Sequence, residues 1–301
     1  MRIAIASGKG GAGKTTVAAS LAQVWNTPAI LVDADVEAPN LHLFCAPTIT
    51  SSTSTFLEVP ILDATKCTQC GTCREVCRFM AFAKLGKTIS LFPEMCHGCG
   101  GCIALCPEKA LAPGQRLLGT LECGTAMGGR HAFLMGRSRI GEAMTPPQLR
   151  ALQKKLAVML AQSKSSAQPY TDALIDAPPG VSCPAMTVAQ EADIILLVVE
   201  PTPFGIHDFT LAHRAFTPLQ KPIAVVMNRA GIPGNAGDKE LAAYCQQQGL
   251  PILGLLPFSQ EIARHYAQGG IAPTCSSAWE KHFTHLRDAL QAFAAKELAN
   301  A

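Results

Sequence analysis

The chain has 301 residues, a formal net charge of +3, and is 48% hydrophobic and 16% charged. That is enough chain for one large α/β domain with or without a small companion. The weak charge gives no footing for nucleic acid or an anionic membrane. No stretch reaches the roughly 18 apolar residues of a membrane span, and the apolar start Met1–Ala6 carries only Arg2 and runs straight into glycines, unlike a secretory leader. A cytoplasmic chain with no stable membrane insertion is therefore expected. Of its thirteen cysteines, eight fall between Cys67 and Cys106. Without an export signal, that clustering points to metal rather than disulfides.

Arg2–Ser7 is an apolar run that ends in glycines and reads as a strand, followed by a helix over Thr15–Trp25. Ala29–Asp35 is apolar without alternation, as in a strand buried on both faces. Thr48–Thr55 is a Ser/Thr-rich connector, after which the cysteines begin, and composition shifts back near Ala112–Gly119. A helix is expected from Thr145, as N-cap with Pro146 at its first position, to about Ala161. Strands follow at Ala173–Asp176, Ile194–Val199, Ile223–Met227 and Ile252–Pro257, and a terminal helix at Ser277–Ala294. Strands alternating with helices predict an α/β fold with a mostly parallel sheet, whose function sits at the carboxyl ends of the strands.

Gly8–Thr15, GKGGAGKT, fits the P-loop pattern between a strand and a helix. Gly8, Gly10, Gly11 and Gly13 let successive backbone N–H groups converge on phosphate oxygens, and the helix N-terminus adds positive potential. In this motif Lys14 reaches the β/γ-phosphates and the Thr15 hydroxyl ligates Mg²⁺, with Thr16 next in line. Cofactors expected here are ATP and Mg²⁺.

Lys9, directly after the first glycine, makes KGGAGKTT resemble the deviant P-loop of the MinD/ParA superfamily, which includes the nitrogenase iron protein and the Mrp-type cluster carriers. VDADVEAPN (Val32–Asn40) is similar to the family's switch I, DAPPG (Asp176–Gly180) to its Walker B/switch II turn, and EPTPFGIHD (Glu200–Asp208) to the loop after the next strand. The resemblance implies that Asp35 orients the attacking water, with Asp33 and Asn40 at neighbouring family positions. It implies also that Asp176 holds Mg²⁺ through water and that Asn228 reads adenine. For Lys9 it implies a reach across an ATP-dependent homodimer to the partner's phosphates.

Cys67, Cys70, Cys73 and Cys77 follow C-x₂-C-x₂-C-x₃-C, and Cys96, Cys99, Cys102 and Cys106 repeat it, with Pro107 completing the bacterial ferredoxin signature. The fourth cysteine of each repeat lies too far along the turn for its own cluster. Cluster I is therefore expected on Cys67, Cys70, Cys73 and Cys106, and cluster II on Cys96, Cys99, Cys102 and Cys77, both [4Fe–4S]. Arg78 stands where the first repeat would carry proline; it removes no ligand. Structural zinc is the alternative metal for CxxC pairs. A small α+β ferredoxin-like domain over 58–111 thus interrupts an ATPase domain made of 1–57 and 112–301.

Cys45 and Cys245 read as small buried hydrophobes. Cys183 falls seven residues after Asp176, the offset at which the nitrogenase iron protein has a cysteine that shares a cluster between two subunits. Cys123 is the plausible second ligand, so a third, bridging cluster at the dimer interface is a further expectation, set against core thiols. The C-terminal part offers only Cys275, which departs from the CxxC-like pair of the Mrp-type carriers. The expected function is an ATPase that couples nucleotide state to electron transfer, or to iron–sulfur or metal cofactor assembly, on a redox or metalloprotein partner. The alternatives are a positioning protein like MinD, and an ATP-binding scaffold with structural clusters. A membrane-targeting tail is not evident, since Ser277–Ala294 has Lys281 and Arg287 but no basic face.

Overall fold

The computed structural model describes residues 1–163 and 169–299. Two compact units share the chain: Met1–Ser52 with Leu121–Arg137 and Leu149–Ala301, and Thr53–Thr120 with Ser138–Gln148. The second unit is wider than the 58–111 stretch that the cysteines delimit, because long strands carry the chain into and out of it.

In chain order the strands are β1 (Arg2–Ala6), β2 (Ala29–Asp33), β3 (Thr48–Leu62), β4 (Phe82–Leu85), β5 (Thr88–Leu91), β6 (Leu111–Ala126), β7 (His131–Ser138), β8 (Asp172–Asp176), β9 (Ile194–Val199), β10 (Ile223–Ala230) and β11 (Ile252–Pro257). The large sheet runs β11-β10-β9-β1-β8-β2-β7-β6-β3. Each neighbouring pair from β11 to β7 is parallel. This is the largely parallel α/β sheet expected from the alternation of strands and helices.

Both faces of that sheet are covered, as unbroken apolar strands require. Ile3 and Ile5 of β1 point into one core with Val17 and Leu21 of the helix Lys14–Val24 and Phe283, Leu286 and Leu290 of the helix Ser277–Ala299. Ala4 and Ala6 point to the other, among Leu152 and Leu156 of the helix Thr145–Ser163, Val188 of Cys183–Glu191 and Phe209 and Phe216 of Pro203–Phe216.

The structure departs from the sequence expectations in several elements. Thr48–Thr55 is not a connector but the first half of β3; its threonines are β-branched, and an edge strand tolerates polar side chains facing water. Ala112–Gly119 lies inside β6, and β7 was not foreseen, because glycines and charges interrupt both runs. Thr145 is the first residue of its helix, and the terminal helix continues to Ala299.

The second unit has its own small core of Leu57, Val59, Ala81, Phe82, Ile89, Leu111 and Leu118, into which Cys96 and Cys102 are buried. The antiparallel pair β4–β5 joins Phe82 to Leu91 and Leu85 to Thr88.

Candidate functional site

The strand order places β1 between β8 and β9, so the crevice at their carboxyl ends is the topological switch point of the sheet. The loop after β1 opens there. Gly11 and Gly13 take φ of +78° and +99°, which only glycine adopts without strain. A Cβ on Gly13 would sit 2.2 Å from Asn228 Nδ2, and one on Gly8 would sit 2.1 Å from the Asp208 carbonyl oxygen. Around Gly10 and Gly11 there is open space. The loop is thus pinned at both ends and bare where phosphates would lie.

Lys14 is buried, and its Nζ donates to Ser7 Oγ at 3.1 Å, while Ser7 Oγ donates to the Lys9 carbonyl at 2.7 Å. Burial lowers the Lys14 pKa, against the pull of Asp176 and Asp35. The Thr15 hydroxyl lies 2.6 Å from Asp176 Oδ2 and 2.8 Å from Asn40 Oδ1; its single proton serves one of them.

Register brings the carboxylates together: Asp33 on β2 pairs with Asp176 on β8. Asp33 Oδ2 accepts from Asn40 N and Leu41 N at 2.9 Å each, and its Oδ1 from Asp35 N at 3.2 Å. Asp33 therefore shapes the turn from Asp35 to Leu41 and is itself buried. Burial, with the charge of Asp176, pushes its pKa well up, and burial likewise raises Asp35. Burial pushes Asp176 up to about 7, although Thr15 and Lys14 act the other way. Among the described residues Asp176 Oδ1 is buried with no hydrogen-bond partner. An orphaned carboxylate oxygen beside a threonine hydroxyl and under a phosphate-binding loop fits hydrated Mg²⁺.

That arrangement has a pH signature. The unfolded chain gives up the Asp176 proton near 3.8 and the folded chain near 7. Between those values the folded state binds more protons, so the stability of the nucleotide-free chain falls as pH rises from about 4 to 7. Metal binding needs the carboxylate and releases that proton. Mg–ADP affinity, beyond the ionisation of ADP itself, is expected to gain up to about tenfold per pH unit below 7 and to level above it. Calorimetry at several pH values checks this; a flat profile would contradict it.

Lys9 extends from the loop to Glu200 Oε2 at 3.5 Å, and Arg229 Nη1 reaches Glu200 Oε1 at 3.2 Å. Asn228 donates from Nδ2 to the Ala12 carbonyl at 2.9 Å and accepts at Oδ1 from Arg229 N at 3.0 Å. Both ends of its amide are engaged, and the Nδ2 end fastens the loop. Beside it, Thr16, Asn228, Arg229, Pro257, Phe258 and Tyr266 line a hollow at the ends of β10 and β11. Ser7, Tyr266 and the clamp role of Glu200 were missed by sequence reasoning. Only the position of Glu200 at a strand end hinted at its use.

The cysteines are arranged separately, in the second unit. Cys67, Cys70, Cys73 and Cys106 line one hollow together with Leu62, Ile89 and Leu111. The helices Thr72–Val76 and Gly101–Ala104 pack on each other. Cys77 Sγ accepts from Ala81 N at 3.4 Å, and Cys106 Sγ from Ala110 N at 3.3 Å, the same four-residue step in each repeat. Phe79 stacks on His97 with ring centroids 3.7 Å apart, which lays the turn after Cys77 against the loop that begins at Cys96. Cys96 and Cys102 are buried, and Cys99 is exposed. Among the described residues no three His, Cys, Asp or Glu side chains converge on a single ion position.

Cys183 is exposed at the first position of its helix, and Cys123 is half-buried in β6. Cys45 and Cys245 are buried in the two cores, and burial pushes their thiols up to about 12 and about 11.

Residues 3–271 match the family described as the CobQ/CobB/MinD/ParA nucleotide binding domain. Two uncharacterized proteins of Methanocaldococcus jannaschii are 27% and 29% identical over 237 and 216 residues, covering 77% and 69% of this chain and 81% and 70% of theirs. Among solved structures, the Pyrococcus furiosus cell division ATPase MinD has a TM-score of 0.53 at 20% identity, covering 97% of this chain and 98% of its own. Pyrococcus horikoshii MinD complexed with Mg-ADP scores 0.55 at 18%, covering 96% and 95%. The MinC:MinD complex of Aquifex aeolicus scores 0.55 at 15%, covering 97% and 96%. No helix among the described residues is long and apolar enough to cross a membrane. With a phosphate-binding loop at the switch point of the sheet and this family match over residues 3–271, the protein belongs to the CobQ/CobB/MinD/ParA nucleotide-binding family and is an ATPase.

Proposed function

We propose that this ATPase carries two [4Fe–4S] clusters in its second unit and couples nucleotide state to electron transfer, or to cluster or metal delivery, on a redox or metalloprotein partner. The observation that carries the reading is the hollow walled by Cys67, Cys70, Cys73 and Cys106, residues up to 39 positions apart in the chain. Four cysteines drawn from both repeats are the donor set of a cube, whose four irons take one thiolate each, whereas zinc needs sulfurs converged on one point, and among the described residues no three do so. Cys96, Cys99, Cys102 and Cys77 would hold the second cluster. Each cluster, when bound, stores one electron. The N–H groups of Ala81 and Ala110 then donate to ligand sulfurs, a device that tunes potential.

In the nucleotide site Lys14 and the loop amides would neutralise phosphate charge. Thr15 and Asp176 would hold Mg²⁺ and its water, and Asp35 would orient the attacking water. Lys9, held by Glu200 in the single chain, would leave it for the phosphates of a second copy. Lys9→Ala is expected to abolish ATP-dependent dimers in light scattering and to slow turnover at least about tenfold; unchanged dimerisation and turnover would sink this part.

The test of the whole reading is anaerobic purification with iron and sulfide analysis, then reduction by dithionite with and without ATP. About eight irons per chain and a potential that moves with ATP are expected; iron-free protein overturns it. A positioning role is the second reading. The solved structures favour it on comparison alone, since they include MinD and McdA proteins. ATP-dependent binding to anionic liposomes by a chain lacking iron would establish it instead.

A further inference from the structure

The second unit holds a buried ion network that the nucleotide chemistry does not use. Arg116, on β6, is 6% exposed. Its Nη1 donates to Glu142 Oε2 at 2.6 Å and Glu94 Oε2 at 2.9 Å, and its Nη2 to the Cys96 carbonyl at 3.4 Å. Arg116 Nε is buried without a partner among the described residues. Arg139 donates to the same two carboxylates. Burial works against ionising Glu142, yet bonds from Met144 N and Arg116 hold its carboxyl below the usual range, so the pair is charged.

A buried pair of this kind contributes little net stability over an apolar substitute, because desolvation offsets attraction. Its placement is more telling. Glu94 lies in the single turn Pro93–Met95, whose Pro93 carbonyl accepts from Cys96 N at 3.0 Å. The guanidinium grips both the carboxylate of this turn and the peptide oxygen of the cysteine that follows it.

We propose that Arg116 is a positioning residue that raises the reduction potential of the cluster held by Cys96, Cys99, Cys102 and Cys77; this rests on the cluster reading above. Reduction adds one electron to [4Fe–4S]²⁺ and gives [4Fe–4S]⁺, with no bond made or broken. The electron comes here from dithionite. The guanidinium, which reaches the peptide oxygen of a ligand directly, favours the state with the extra negative charge, and the paired carboxylates of Glu142 and Glu94 weaken that effect without reaching the peptide. Orienting the Cys96 peptide adds to the effect through the dipole.

The experiment is a redox titration of the full, iron-loaded chain followed by electron paramagnetic resonance, with the other cluster as internal reference. At the wild-type midpoint of cluster II, Arg116→Gln is expected to lower its reduced-to-oxidised ratio about tenfold, equivalent to about 59 mV for one electron. Arg116→Lys keeps the charge and should stay within about twofold. Glu94→Gln removes an exposed carboxylate, threatens the fold least, and should raise the ratio. A merely structural clamp would change iron content without moving midpoints. Full iron with an unmoved midpoint in Arg116→Gln overturns the proposal, as does Arg116→Lys shifting as far as Arg116→Gln, or Glu94→Gln failing to raise the ratio. Wild-type chain without iron, seen before any potential is measured, overturns the cluster reading and this inference with it.

Discussion

Lys14→Ala is expected to reduce kcat/KM for ATP hydrolysis by about 10²–10³, the usual cost of one preorganised charge donor to a developing oxyanion. Lys14 is 8% exposed and its ammonium donates to Ser7 Oγ, so it is already held and largely desolvated before nucleotide arrives. The same substitution should leave the melting temperature of the nucleotide-free chain unchanged or higher. Burial alone depresses the Lys14 pKa, which means the folded state holds this charge at a cost. Removing it also takes away the cation that opposes the upward shift of Asp176. The Asp176 proton should then be released at higher pH, and Mg–ADP binding at pH 7 should weaken. Steady-state kinetics and a thermal melt, run together, check both halves. A destabilised protein with intact turnover would contradict the assignment.

The second large effect is in the cysteine unit and tests which thiols share a cluster. Cys70→Ala with Cys106→Ala removes two ligands of the same proposed cluster, so about four of about eight irons per chain should remain. Cys70→Ala with Cys77→Ala removes one ligand from each, and almost no iron should remain. Clusters confined to single repeats would give the reverse order. The expectation rests on Cys106 lining one hollow with Cys67, Cys70 and Cys73, and on the Phe79–His97 stack that joins the turn after Cys77 to the second repeat. Iron and acid-labile sulfide measured on the two double variants decide between them.

The fold was legible wherever one local rule acted alone. β1, β8, β9 and β11 are short apolar runs bounded by glycine, proline or acid, and their strand character follows from that pattern. β3, β6 and β7 were hidden for a reason of the same kind. Their polar and glycine-rich stretches satisfy turn chemistry locally, and only pairing at the far side of the sheet makes them strands. The family match confirms the nucleotide-binding domain on which the P-loop, switch I and switch II resemblances rest.

The sequence alone thus determined the phosphate-binding loop, the parallel α/β class and the two cysteine repeats, because each is written in contiguous residues at fixed spacing. Tertiary structure decided what distance along the chain conceals. It brought Asp33 and Asp176 into register across 143 residues and buried them until their protons bind more tightly. It closed Glu200 onto Lys9 and Arg229, and it set Arg116 against the Cys96 carbonyl. Charge and dielectric depend on neighbours in space, and those neighbours exist only once the strands have paired.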